Sequence, residues 1–232
     1  MRVSWWTRIL DFISPRLCVV CGERLTPTER ALCSACLLHL PRTVYQFTPT
    51  DNPMAQLFWK LTPVKRAAAF VFYEPHAETA QLIYELKYRD RPDIGEAMGR
   101  LMASEMQPAH YFDGIDLLLP VPLSRKRLRQ RGYNQSERIA VGISDITRLP
   151  VVTKALRRKH FKQSQTQLSR QERRENVTDM FQLRDATLLE GKHVLLIDDI
   201  CTTGATLTAC CDALHAVPDI SISILTFGYT KS

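Results

Sequence analysis

One segment constrains the fold of this 232-residue chain more than any other: residues 194–206, with the sequence VLLIDDICTTGAT. Four apolar residues lead into two adjacent carboxylates, Asp198 and Asp199, and a turn rich in hydroxyl groups precedes a helical pattern. A short, wholly apolar strand is typical of a parallel sheet covered by helices on both faces. Ligands of such sheets bind beyond the carboxyl ends of the strands. We therefore expect an α/β domain with a ligand site at residues 198–206.

The turn after the acidic pair has the chemistry of a phosphate site. Its residues are Thr202, Thr203, Gly204, Ala205 and Thr206. A turn that leads into a helix offers free backbone N–H groups and the positive end of the helix dipole, which suit a phosphate monoester. Two adjacent carboxylates repel each other, and Mg²⁺ together with ribose hydroxyls would offset that repulsion. The alternative is a solvated acidic turn before a capped helix. A Walker-type loop is excluded because the G-x-x-x-x-G-K pattern is absent.

Four cysteines near the start of the chain have the spacing of a metal site. Cys18 and Cys21 form one C-x-x-C pair, and Cys33 and Cys36 form a second. Two such pairs can complete the tetrahedral four-sulfur site of structural zinc. A redox dithiol pair or an iron–sulfur site is the alternative. We expect Zn²⁺ to stabilise a small ribbon whose own core is inadequate.

Strand-like and helical patterns alternate from residue 65 onward, which favours an α/β domain with a mainly parallel sheet. The predicted strands lie at 66–73, 116–121, 151–156, 178–183, 193–197 and 220–229, and the predicted helices at 76–88, 94–106, 134–146 and 205–216. We divide the chain into an N-terminal helix and zinc ribbon at 1–40, a proline-rich linker at 41–64 and the main domain at 65–232.

Positive charge is concentrated in one part of the chain. The net charge is +7, yet residues 121–174 contain 15 Lys/Arg and 3 Asp/Glu, so the other residues sum to −5. Like charges repel, and a solvated helix face explains a block of this length poorly. The block predicts an anionic ligand. The overall 45% hydrophobic and 24% charged composition excludes a disordered or fibrous chain.

The first 15 residues do not have the pattern of a signal peptide, and no apolar run reaches the ~18 residues of a membrane helix. Trp5, Trp6, Ile9, Phe12 and Ile13 recur at helical spacing. This pattern predicts a short amphipathic helix that docks on its own protein, with contact at a membrane surface as the alternative. We expect a cytoplasmic protein, either free or peripheral at the inner face of the membrane.

Residues 194–206 resemble the signature by which type I phosphoribosyltransferases bind 5-phosphoribosyl-1-pyrophosphate (PRPP). Three further segments, LKYRDR at 86–91, LLLPVPLSRKRLRQRGYNQSERIA at 117–140 and QTQLSRQERRENVTDMF at 165–181, resemble the ComF family. The resemblance implies a type I phosphoribosyltransferase-like domain preceded by a four-cysteine zinc ribbon. It also implies that Asp198 and Asp199 hold the ribose of Mg²⁺-bound PRPP and that residues 202–206 hold its 5-phosphate.

The same resemblance assigns the other end of the ligand. Arg131 and Gly132 would form the pyrophosphate loop, and Lys87 and Arg89 would reach the pyrophosphate from a helix end, although C-terminal helix cations are common without a ligand. The candidates on a mobile flap are Arg157, Lys159, Arg170 and Arg174. The catalytic candidates are Asp198, Asp199 and Arg131. Thr202 stands where purine-salvage members have an aspartate, which argues against purine salvage.

Several functions follow from the resemblance, and they can be combined. The chain would bind Mg-PRPP and act in natural competence, in the uptake or use of single-stranded DNA beside a helicase partner. Alternatives are a non-catalytic regulator that responds to PRPP and a module that binds single-stranded DNA, with Tyr133 and Phe161 stacking on bases. A glutamine-using amidophosphoribosyltransferase is excluded because it would need a glutaminase domain. Whether PRPP is turned over is left open.

Overall fold

A four-stranded parallel sheet forms the centre of the protein. A computed structural model describes residues 15–75, 77–159 and 180–231. Its strands are β1 (Arg66–Phe72), β2 (Leu117–Pro120), β5 (His193–Cys201) and β6 (Ser221–Tyr229). They lie in the order β1-β6-β5-β2 across the sheet. The predicted α/β class with a mainly parallel sheet is confirmed.

Helices connect and cover these strands. They are α1 (Ser34–His39), α2 (Pro53–Phe58), α3 (Glu78–Tyr88), α4 (Pro92–Met106), α5 (Arg125–Arg131), α6 (Gln135–Thr147) and α7 (Ala205–Leu214). The apolar part of β5 is fully buried, as expected for a strand enclosed on both faces. The four helices predicted from periodicity correspond to α3, α4, α6 and α7.

Two helices cross at closely approaching glycines. A Cβ atom on Gly99 of α4 would lie 2.1 Å from the carbonyl oxygen of Ile139, and one on Gly142 of α6 would lie 2.1 Å from that of Glu96. Both distances are far below van der Waals contact, so only glycine permits this crossing. The crossing fixes α6, whose first turn reaches the candidate site.

Residues 41–64, predicted as a linker, pack against the sheet. Asn52 caps α2, because its side-chain oxygen accepts hydrogen bonds from the N–H groups of Met54 and Ala55, each at 3.0 Å. Its amide donates to the carbonyl oxygen of Ala67 in β1 at 2.8 Å. Met54 and Phe58 are completely buried. This segment is thus part of the main hydrophobic core, whereas the domain boundaries stay a prediction.

The strand predicted at 151–156 is wrong in extent. Only Val151 pairs with the main sheet, through a single bridge to Leu118. The chain then bends, and the strand β3 (Leu156–Arg158) pairs antiparallel with β4 (Phe181–Leu183) in a separate two-stranded sheet. Exposed polar residues at 153 and 154 interrupt the apolar pattern and allow this change of direction.

Helix α5 was missed from the sequence because RKRLRQR contains one apolar residue and no buried face. Ser124 caps its N-terminus, and Gly132 ends it with φ +77°. The predicted N-terminal helix at residues 1–14 lies outside the described residues. Among the described helices, none is long and apolar enough to span a bilayer.

Candidate functional site

The two carboxylates at the end of β5 have different partners. Asp198 accepts hydrogen bonds from the hydroxyl of Ser136 at 2.8 Å and from the N–H of Asp199 at 2.9 Å. Burial and the neighbouring Asp199 carboxylate raise the pKa of Asp198 to about 7, although Ser136 and Lys87 oppose this rise. Asp198 can therefore hold or release a proton near neutral pH.

Asp199 forms an ion pair across the site. Its Oδ2 lies 2.7 Å from Nζ of Lys87, and both side chains are largely shielded from water. Lys87 is in the last turn of α3, so the pair joins this helix to β5. Lys87 thus faces the acidic pair. Arg89 is 63% exposed, and among the described residues its side chain contacts Glu85 and the ring of Tyr84.

The hydroxyl-rich turn forms a small open cradle. With Asp198 and Ile200 it surrounds a cavity of about 50 Å³. The side chains of Thr202 and Thr203 are exposed to solvent. No side chain within the described ranges caps α7, so the N–H groups of its first turn can bind an anion.

Gly204 has two reasons to be glycine. Its φ is +76°, in the left-handed region, and a Cβ atom there would lie 3.2 Å from Cε1 of Phe58 in α2. Phe58 therefore lies against this turn, although the sequence did not indicate that it contributes to the site. The segment predicted as a linker therefore helps to shape the candidate phosphate cradle.

Arg131 and Gly132 lie beside a larger opening between α3 and α5. Arg131 donates a hydrogen bond to Oε1 of Gln135 at 2.8 Å, and its guanidinium lies 5.5 Å from the ring centre of Tyr88. The opening has a volume of about 710 Å³. Its lining residues are Lys87, Tyr88, Asp90, Arg127, Gln130, Arg131 and Gly132.

The start of α6 connects this opening to the acidic pair. The side chain of Asn134 accepts from the N–H of Ser136 at 3.2 Å and donates to the carbonyl oxygen of Val121 at 3.0 Å. Asn134 is therefore the N-cap of α6. It also ties α6 to the end of β2 and so positions the hydroxyl that binds Asp198.

The sequence reading missed three polar residues here: Ser136, Gln135 and Arg127. Gln135 is buried, and its Nε2 has no hydrogen-bond partner in the part of the chain that the structure describes. A small hydroxyl residue two positions after a helix cap, in a segment that follows a buried strand, is the signal that could have identified Ser136. Gln135 and Arg127 carried no such signal.

The basic segment between β3 and β4 is described only at its two ends. Arg157 is paired with Gln182, and Arg158 stacks over the ring of Phe181 at 5.4 Å. Burial and the nearby Arg127 lower the pKa of Arg158. With Lys159, these arginines line a depression of about 480 Å³. The flap candidates Arg170 and Arg174, as well as Phe161, lie outside the described residues.

The four cysteines meet at one point. Their Sγ atoms all lie within 4.8 Å of one another, and those of Cys21 and Cys33 are 3.6 Å apart. A tetrahedral zinc site with Zn–S bonds near 2.3 Å would have sulfur–sulfur distances of about 3.8 Å. Burial opposes ionisation of Cys18, but N–H groups of Cys21 and Cys33 outweigh it and lower the Cys18 pKa to about 7. The residues present therefore fit a zinc ion.

Comparison with known proteins identifies the family of the chain. Residues 128–227 match the phosphoribosyl transferase domain family. The chain is 30% identical over 194 residues to the DNA utilization protein YhgH of Escherichia coli (strain K12), which covers 82% of this chain and 80% of that protein. It is 32% identical over 208 residues to the competence protein ComFC of Bacillus subtilis (strain 168), covering 88% and 80% of the two chains.

A solved structure, described as the allosteric regulatory enzyme of purine biosynthesis, is 21% identical with a TM-score of 0.42, covering 61% of this chain and 29% of that one. The sequence identity to these relatives extends over more than four fifths of the chain. The chain belongs to the ComF family and contains a phosphoribosyltransferase domain.

Proposed function

We propose that this protein binds PRPP together with Mg²⁺ at the carboxyl end of β5. The observation that supports this most directly is that three kinds of group lie together beyond the carboxyl end of β5. These are the carboxylates of Asp198 and Asp199, the uncapped first turn of α7 and the cations Lys87 and Arg131. PRPP carries ribose hydroxyls, a phosphate monoester and a pyrophosphate, and each of these suits one kind of group.

Each group has a separate task in this proposal. Asp198 and Asp199 bind the ribose hydroxyls, residues 202–206 bind the 5-phosphate, and Arg131 with Gly132 and Lys87 binds the pyrophosphate. Mg²⁺, when bound beside the acidic pair, supplies positive charge that offsets the pyrophosphate. When the ligand binds, contacts with the ligand replace part of the ion pair between Lys87 and Asp199. In the free protein this ion pair already holds both side chains at the site.

Isothermal titration with Mg-PRPP tests the proposal. The wild-type chain should release or absorb heat with a saturable isotherm, and Asp199→Asn should lose it. Asp219→Asn is a matched control. Asp219 is exposed and lies just before β6, at the amino end of that strand and so away from the site. Its φ of +53° is one that asparagine tolerates. A wild-type chain that gives no heat, or an Asp199→Asn chain that binds normally, would contradict the proposal.

We further propose that the protein acts in the use of DNA during natural competence. Relatives named DNA utilization protein and competence protein support this role. A non-catalytic, PRPP-responsive regulator is the second candidate. It is favoured by Thr202, an exposed hydroxyl at a place where purine-salvage members of the fold have an aspartate. Release of pyrophosphate from Mg-PRPP with candidate nucleophiles indicates an enzyme, whereas binding without release indicates a regulator.

The four-cysteine cluster has a structural role in this proposal. Zn²⁺ held by Cys18, Cys21, Cys33 and Cys36 would stabilise a segment whose own apolar cluster is small, consisting of buried Leu25 with a few neighbours. Because all four positions of a tetrahedral ion are then filled by protein, the ion has no site for a substrate. Its contribution is to folding rather than to chemistry.

A further inference from the structure

Four side chains on the surface beside the 710 Å³ opening form a row in which the two outer members are cations and the two inner members are rings. The guanidinium of Arg89 lies 5.8 Å from the ring centre of Tyr84, and that of Arg131 lies 5.5 Å from the ring centre of Tyr88. The two tyrosine rings are 5.3 Å apart. Tyr84 and Tyr88 are one helical turn apart on α3, so they share a face.

The two tyrosine rings are open to solvent. Tyr84 is 45% exposed and Tyr88 is 64% exposed. A tyrosine whose only role is packing is usually more buried, because its ring contributes most of its stabilisation when removed from water. By contrast, the hydroxyl of Tyr133 donates to the carbonyl oxygen of Leu86, and its ring packs against the core. Tyr133 is thus a structural residue, whereas Tyr84 and Tyr88 are partly exposed rings that a base could contact.

A strongly cationic helix forms the other wall of the opening. Helix α5 has five Lys/Arg and no acidic residue among its seven positions, and none of its residues is buried. Across the ranges covered by the structure, Arg125, Lys126, Arg127 and Arg129 have no carboxylate within 4.0 Å. These charges repel one another, and an external polyanion would relieve the repulsion.

Cations and rings meet at the opening itself. Arg127 and Arg131 from α5 and Lys87 from α3 line it, and Tyr88 is part of the same lining. Asp90 is the acidic residue in that lining, and Glu85 lies near Arg89. The positive charges of the wall outnumber these two carboxylates. The surface therefore presents aromatic faces on one side and a track of positive charge on the other.

We infer that single-stranded DNA binds along this surface, with bases stacked on Tyr84 and Tyr88 and the phosphate backbone along α5. This inference rests on the proposed role in DNA use and gives it a location. Stacking on aromatic rings beside a basic track is the general mode of sequence-tolerant single-strand binding. Duplex DNA keeps its bases stacked on one another, so it cannot use the two rings. Because Arg131 and Lys87 also serve the pyrophosphate end of the PRPP site, the two ligands share one border.

Fluorescence anisotropy with a labelled oligo-dT of about 16 nucleotides tests this surface. Tyr88→Ala and Tyr84→Ala should each weaken binding by about tenfold, in line with the loss of one stacked base. Arg127→Ala should weaken binding and also reduce the slope of log affinity against log salt concentration by about 0.7. A duplex of the same length should bind without any dependence on Tyr84.

Two matched controls are available. Phe47→Ala removes a 69% exposed ring that is not part of the opening, and Lys192→Ala removes a charge just before β5, at the end of the sheet away from Asp198. Both variants should bind oligo-dT like the wild type. If the tyrosine variants also bind like the wild type, or if duplex DNA binds equally well with the same dependence on Tyr84, the inference is wrong.

The two proposals fail separately. Titration of Tyr84→Ala with Mg-PRPP should match the wild type, because Tyr84 does not line the opening. Intact PRPP binding together with unchanged DNA binding overturns the DNA surface and leaves the PRPP site standing. DNA binding that depends on the two tyrosines, in a wild-type chain that does not bind Mg-PRPP, would overturn the PRPP site and leave the DNA surface standing.

Discussion

Nζ of Lys87 lies 2.7 Å from Oδ2 of Asp199, and this ion pair joins the end of α3 to the end of β5 across the candidate site. Removing Lys87 leaves a shielded carboxylate beside a second one. We expect Lys87→Met to lower the free energy of unfolding by about 1–3 kcal/mol, less than for a fully buried pair. Urea unfolding measures this change.

The matched double variant separates loss of charge pairing from loss of packing. In Lys87→Met/Asp199→Asn no uncompensated carboxylate is left at position 199, so part of the lost stability should return. Strictly additive effects of the two substitutions would show that the ion pair contributes nothing beyond its separate side chains.

Asp198 should make stability depend on pH. In the folded protein the carboxyl group of Asp198 stays protonated up to about pH 7, whereas in the unfolded chain it loses its proton near pH 4. The folded state thus binds more protons between these values, so the stability from this group falls as pH rises through that window. Asp198→Asn keeps an oxygen to accept from Ser136 and removes this fall. At pH 8 it should be more stable than the wild type, by on the order of 1 kcal/mol.

Unfolding curves at pH 4.0 to 8.0, spanning the window set by the two pKa values, measure this effect. The same variant should lose Mg-PRPP binding, because a neutral amide replaces a carboxylate. Asp219→Asn should shift neither quantity. Equal pH profiles for the wild type and Asp198→Asn would contradict the raised pKa of Asp198.

Gly204→Ala should strain the hydroxyl-rich turn in two ways. An alanine at φ +76° costs about 1–2 kcal/mol, and its Cβ would crowd Phe58 at 3.2 Å. Gly114→Ala is the matched control, since Gly114 has φ +71° and nothing within 4 Å of an added Cβ. Gly204→Ala should lower the free energy of unfolding more than Gly114→Ala does, and Phe58→Leu should reduce the difference. An equal loss of unfolding free energy in the two alanine variants would show that Phe58 moves aside without an energetic penalty.

Metal removal should unfold the N-terminal segment first. Purified protein should contain one Zn²⁺ per chain by elemental analysis, and a chelator should lower the thermal midpoint. Cys33→Ser should reduce the zinc content, whereas Cys211→Ala should keep it, because Cys211 is buried in the main domain. Zinc retained in full by Cys33→Ser, or iron in its place, would contradict the assignment.

Local sequence determined the parts of this protein that depend on a single segment. The apolar strand before Asp198, the glycine-containing turn after it and the C-x-x-C pairs each have a short-range physical signature. Strand burial, turn geometry and ligand spacing can be read from neighbours in the chain. The class of fold and the position of the candidate cradle were therefore predictable.

Tertiary structure decided which distant residues meet. The hydroxyl of Ser136 reaches Asp198, Phe58 supports Gly204, and Lys87 pairs with Asp199, although each pair is far apart in the sequence. No local pattern encodes these contacts, since they depend on how α2, α3 and α6 pack on the sheet. The same packing places part of the proline-rich segment 41–64, which we expected to be a linker, in the hydrophobic core. Burial of Met54 and Phe58 stabilises this position more than the local preference of the prolines for an irregular segment opposes it.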